Sequence, residues 1–194
     1  MSSNKSVTTK GLYKNLVLRI KNLIIKPGEE WKSIHRENKS INEILSDFSL
    51  PLIALCAVAT FINFAINHQA FNSELAIKHA TVSFASLFVG LYLSFLMLKW
   101  ILPKMHIPAS PRLIFSIVAY PSGLWYIITF IINLIPELII LHLLTFYSIY
   151  IIWHAVSYLP GIRIEHNLVI SVLIAGIIHI TPYFIKFALL KIII

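Results

Sequence analysis

Five stretches of this chain, residues 49–66, 82–102, 113–135, 138–159 and 168–190, are almost continuously apolar. A helix needs about 20 such residues to cross a hydrocarbon core about 30 Å thick, because each residue rises about 1.5 Å. The Leu, Ile and Phe runs do not alternate with polar residues, which argues against a lipid-facing β-barrel. Composition agrees: 58% of the 194 residues are hydrophobic and 12% charged. A soluble globule could not cover its surface with so few charges, and a disordered chain needs far lower hydrophobicity. The expectation is an all-α integral membrane bundle of five transmembrane helices over residues 48–194. A short basic, amphipathic helical segment over residues 1–47 precedes it.

The formal charge of +8 is unevenly placed. Nine of the sixteen Lys and Arg residues precede residue 40, and the rest sit at or near the ends of apolar stretches. Nucleic-acid binding would call for a basic stripe on a soluble surface, often with stacking aromatics, so no nucleic-acid partner is expected. Attraction to anionic lipid headgroups fits better. With the N-terminus inside, thirteen Lys and Arg fall on the inner side and three, Lys78, Lys186 and Lys191, on the outer. The positive-inside rule then predicts a multi-pass protein of the cell (inner) membrane with a cytoplasmic N-terminus and an external C-terminus. Trp100 and Trp153 fall near the inner ends of their spans, as interface anchors do.

The apolar residues between Leu12 and Ile25 are interrupted by Lys14, Arg19 and Lys21, so they form no signal-peptide core. On a helical wheel, Leu12, Tyr13, Leu16, Val17, Ile20, Leu23 and Ile24 share one arc. Lys14, Arg19, Lys21 and Lys26 take the other, with Leu18 and Ile25 as exceptions. The pattern predicts a helix in the membrane interface with Lys14, Arg19, Lys21 and Lys26 among the headgroups. A helix packed on the end of the bundle is the alternative. Pro27-Gly28 ends this helix, Glu29 and Glu30 suit the first turn of the next, and Ser40-Ile41-Asn42-Glu43 has capping-box spacing.

Polar side chains at membrane depth are functional candidates, because hydrocarbon offers them no partners. Tyr147, Tyr150, His154 and Ser157 recur at spacings of three, four and three, and so share a helix face. That face either packs on neighbouring helices or lines a cavity, and Tyr120 and His179 complete the candidate intramembrane polar cluster. His142 and His154 lie about 18 Å apart along one helix, too far to ligate one ion. No HExxH, GxSxG or P-loop occurs, and the single cysteine, Cys56, allows no intrachain disulfide. No catalytic residue, metal or cofactor is therefore expected. Pro121 should kink the third span, and Ser86, Gly90 and Ser94 form a small-residue ridge suited to close packing, within the chain or between copies.

Several strings resemble the Yip-domain (Ypt-interacting protein) family in its bacterial form. Ile25-Lys26-Pro27-Gly28-Glu29-Glu30-Trp31-Lys32-Ser33-Ile34 is similar to that family's opening motif. Leu102-Pro103-Lys104-Met105, Ala119-Tyr120-Pro121, Ile135-Pro136 and Tyr147 through Pro160 follow in the family's order. Ser157-Tyr158-Leu159-Pro160 lacks the glycine that usually precedes Leu-Pro there. The resemblance covers roughly residues 23–174 and implies a five-span helical protein with a cytoplasmic N-terminus. Eukaryotic relatives bind prenylated Rab-type GTPases, a role not carried over to this chain. The functional expectation is a non-enzymatic membrane organising or partner-binding protein. Its partners would be the bilayer with its anionic headgroups, other membrane proteins, or a second copy. A small transporter or channel, with a polar cavity between the third, fourth and fifth spans, is the alternative.

Overall fold

The computed structural model describes residues 9–67, 72–162 and 164–193. Lys5, the His68-Gln69 junction, Arg163 and the side chains of Lys10 and Leu12 lie outside the described residues. Seven helices account for the fold, and no strand occurs among the described residues. Two short ones, α1 (Thr9–Ile25) and α2 (Pro27–Glu37), precede five long enough and apolar enough to cross a membrane. These are α3 (Ile41–Ile66), α4 (Ser73–Lys104), α5 (Pro111–Leu134), α6 (Pro136–Val156) and α7 (Asn167–Ile193).

Local chemistry sets where each begins. Ser40 and Glu43 form the expected capping box, with Glu43 N donating to Ser40 Oγ and Ser40 N to Glu43 Oε2. The helix launched there passes through a π-helical turn, Leu45–Ser49, straight into the first span. It therefore starts eight residues before its apolar stretch. α4 starts nine residues early, because Asn72 caps it by accepting from Leu75 N and Glu74 pairs with Lys78 at 2.7 Å. These polar first turns are good helix formers that a search for apolar residues passes over. α5 is N-capped by Ser110, starts on Pro111 and runs through Pro121 without a break. The first half of α6, Pro136–Phe146, is wound as a 3₁₀-helix, an unusually long run of that tighter form.

α5 is the axis of the bundle. Of its most apolar window 78% is buried within the protein, against 28% for α3 and α6. α3, α4, α6 and α7 surround it, and their outward Leu, Ile, Val and Phe side chains face where lipid would be. Lipid tails are as apolar as leucine, so helix contacts in a bilayer depend on close packing and polar ties. Both are present. The Thr60 and Ser83 hydroxyls share a hydrogen bond at 3.1 Å, Asn133 donates to Thr60, and Asn63 donates to Asn133 O, linking α3, α4 and α5. The Ser86-Gly90-Ser94 ridge on α4 receives α7 of the same chain, and Ser94 Oγ reaches Ile177 O at 3.4 Å.

Gly90 carries that contact. A Cβ placed there would stand 2.5 Å from Pro182 Cγ and 2.9 Å from Pro182 Cα, a backbone atom that cannot step aside. Gly176, also helical, has no such neighbour within 4 Å. Gly90→Ala should lower the unfolding midpoint in detergent by an amount corresponding to about 1–3 kcal/mol of overpacking. Gly176→Ala should hold or raise it, since alanine favours a helix over glycine by up to about 1 kcal/mol. Equal midpoints for the two variants would show that α4 and α7 are not in close contact.

Candidate functional site: a charged pocket under the N-terminal hairpin

α1 and α2 form a hairpin closed at Lys26-Pro27. Proline opens α2, where its missing N–H is harmless, and Glu29 and Glu30 stand in the first turn. Asn38 ends α2 in the left-handed conformation, with φ of 53°, which asparagine tolerates. Arg112 at the start of α5 donates to Asn38 O.

The hairpin lies beside the spans, not across their ends. Leu16, Ile20 and Leu23 of α1 and Pro27, Trp31 and Ile34 of α2 are buried. Trp31 is 1% exposed, donates its indole N–H to Ile151 O at 3.0 Å and meets the Tyr120 ring edge-on at 6.0 Å. Tyr147 OH donates to Ile24 O at 2.8 Å. Tyr147 lies nine residues before the end of α6, about 14 Å along it if helical. Gly28 sits against the His154 ring, where a Cβ would be 3.2 Å from Nδ1. His35 stacks near Tyr158 at 5.0 Å. Of the face expected from sequence, Tyr147 and His154 thus mark where the hairpin docks on α6, with Tyr158 beside them, while Tyr150 and Ser157 stay exposed.

Between hairpin and spans lies a pocket of about 600 Å³. Arg19 is its centre. One guanidinium nitrogen donates to Glu30 and another to Glu37, and the guanidinium lies 5.7 Å from the Tyr120 ring centre. Ser33 Oγ donates to Glu37 at 2.9 Å, and Lys39 pairs with Asp47 at 2.9 Å across the rim. Phe48, turned inward by the π-helical turn, packs on Tyr120 at 4.9 Å and over Gly123. Burial alone would lower the Arg19 pKa, but hydrogen bonding and charge from Glu37, aided by Tyr120 and Glu30, raise it. Burial likewise pushes Glu37 up, and the bonds from Arg19 and Ser33 overcome this and hold it below its ordinary 4.5.

The residues singled out from sequence therefore occupy several places. Tyr120 belongs to the charged pocket. Tyr147 and His154 face the hairpin, and Tyr150 is half exposed with its ring 4.8 Å from that of His154. His179 is elsewhere, sharing a 2.7 Å hydrogen bond with Ser148 and meeting Trp125 edge-on. The five do not form one cluster, because Ser148 and His154 project from different sides of α6. Among the headgroup candidates, Lys14 and Lys21 are exposed, and Lys26 stands 3.5 Å from Glu29. Arg19 does not stand with them; two carboxylates hold it inside the pocket.

The apolar arc of α1 is divided too. Leu16, Ile20 and Leu23 pack inward, while Tyr13 and Val17 remain 57% and 64% exposed. One edge of the helix serves docking, and the other is free to meet an interface. Sequence reasoning missed Glu37, Lys39, Asp47 and Phe48 as pocket residues. The signal within reach was Glu30 beside Trp31 in the opening motif. Among the described residues, no three of His, Cys, Asp and Glu approach closely enough to share a metal ion.

Because the folded value of Glu37 is depressed, the stability it contributes is complete above the ordinary carboxylate range and is lost as pH falls through the lowered value. Amide protection along α1, taken as the exchange rate relative to an unstructured chain at the same pH, should stay high at neutral pH and fall below 4.5, the ordinary value. Glu37→Gln should exchange faster at pH 7 and show a smaller acid response. Superimposable profiles for the two proteins would mean that Arg19–Glu37 does not hold the hairpin.

The Yip1 domain family matches residues 21–185, from within α1 to within α7. No curated protein and no solved structure matches the chain.

Proposed function

The chain belongs to the Yip1 domain family, and on that premise we propose that it is a non-enzymatic organiser of membrane proteins that binds its partners at the hairpin. Family members are generally non-enzymatic membrane trafficking proteins, and this chain is a multi-pass membrane protein. The observation that carries the reading is the position of the charged pocket. It opens at the most basic end of the bundle, beside the exposed Tyr13, Val17, Lys14 and Lys21 of α1. That edge suits an anionic leaflet, with tyrosine and valine in the acyl boundary and lysines at the headgroups. The pocket next to it then faces whatever approaches along the membrane surface. We place the hairpin on the cytoplasmic side of a bacterial inner membrane, by the thirteen-to-three division of Lys and Arg.

A photoactivatable residue at Ser33 or Asn22, in the pocket wall, should capture a discrete protein in intact cells. The same residue at Val17 should capture lipid. Lipid alone at all three positions would remove the partner-binding reading. Orientation has its own check: a reporter enzyme that works only outside the cytoplasm, fused after Ile194, should be active. An inactive fusion would invert the placement.

One observation supports a transporter or channel as a second reading. α4, α5, α6 and α7 surround a cavity of about 110 Å³ at the end away from the hairpin. Its wall includes neither Tyr120 nor His154, so a transport path would use other residues than those expected from sequence. Purified protein in vesicles that releases no entrapped ion or small solute faster than empty vesicles would dismiss it.

A further inference from the structure

The wall of that second cavity holds Ser83, Ser86, Thr129, Asn133, His142 and Lys186 among apolar side chains. Its volume is that of about three to four liquid waters. Two features of it have no partner among the described residues. Lys186 takes part in no ion pair among the described residues, and neither Asp nor Glu lines the cavity. Thr129 Oγ1 is buried without a hydrogen-bond partner. Elsewhere in the spans such hydroxyls return to the carbonyl four residues back, as in Thr60, Ser122, Ser171 and Thr181. Thr129 does not, which leaves its hydroxyl hydrogen unused and costs free energy.

We propose that this cavity is a binding site for a small monovalent inorganic anion of halide size, held by the Lys186 ammonium and the Thr129 hydroxyl. The side-chain amide of Asn133, which spends one hydrogen on Thr60, has a second to offer. The charge balance excludes a cation, because the only fixed charge on the wall is positive. Water would satisfy Thr129, but the Lys186 ammonium, exposed at the cavity rim, would still have no acidic side chain on that wall to answer it. A carboxylate or phosphate is recognised best by a planar, bidentate arginine; here there is one point charge and two single donors, a set that suits a spherical ion. The inference concerns binding alone and stands whether or not the protein transports anything.

Trp125 lines the cavity and provides the readout. Bromide quenches indole fluorescence on close contact, so the full-length protein in detergent is titrated with sodium bromide against sodium gluconate at constant ionic strength. Quenching that saturates is expected, superimposed on the linear response of exposed tryptophans, and chloride should compete with it. The saturable part should vanish in Trp125→Phe. Lys186→Met should shift its midpoint at least tenfold, Thr129→Val several-fold, and Lys186→Arg, which keeps the charge, by no more than a few-fold. Should Lys186→Met fail to fold, Thr129→Val and the wild-type curve still decide. Purely linear quenching would show that Lys186 only reaches for the membrane surface and would overturn the proposal. So would a Lys186→Met curve that follows the wild type, or saturation that persists in Trp125→Phe.

Discussion

In a bilayer, helices gain nothing by hiding apolar side chains from one another, since the lipid is as apolar as they are. What holds this bundle together must therefore be closeness and polar complementarity. α5 shows both. It is the most buried span, and its Gly123 admits the Phe48 ring, which a Cβ would meet at 2.5 Å. At its far end Asn133 ties it to α3. Once α5 is enclosed in this way, its Tyr120 becomes a fixed floor at the near end. Trp31, Phe48 and Arg19 all gather on that ring.

The hairpin follows from the same constraint. A tryptophan in an apolar setting still needs a partner for its indole N–H, and Trp31 finds Ile151 O inside the α5–α6 surface. An arginine beside it would be costly alone, and Glu30 and Glu37 neutralise it. Helices docked on the flank of a span by one anchored tryptophan and one compensated arginine are held in orientation as well as in place. That orientation turns the exposed edge of α1 away from the bundle.

Much of this was legible in the sequence. Span number and the small-residue ridge come from local patterns, and local patterns survive folding. The ridge's partner does not, because Pro182 is ninety-two residues from Gly90 and nothing in either neighbourhood names the other. The early starts of α3 and α4 were hidden because their first turns are polar. The face of α6 was visible as a face, but whether it met water, lipid or protein depended on Gly28 arriving from the N-terminal segment. Arg19 misled for a similar reason. On a wheel it joins the lysines, and only α2, eleven and eighteen residues on, supplies the carboxylates that turn it inward.

The two ends of the bundle differ in a way that bears on what each can recognise. At the hairpin end, Arg19 and Lys39 are already paired within the chain. An incoming partner gains little by competing for Arg19, since removing one member of a part-buried pair leaves the other uncompensated. Recognition there must read the assembled shape, together with the exposed Lys14 and Lys21 on the outer edge, so it depends on the hairpin being docked. At the opposite end Lys186 has no such answer among the described residues, and a ligand there would supply missing charge instead of competing for charge already matched. Folding thus completes one site from within and leaves the other to be completed from outside.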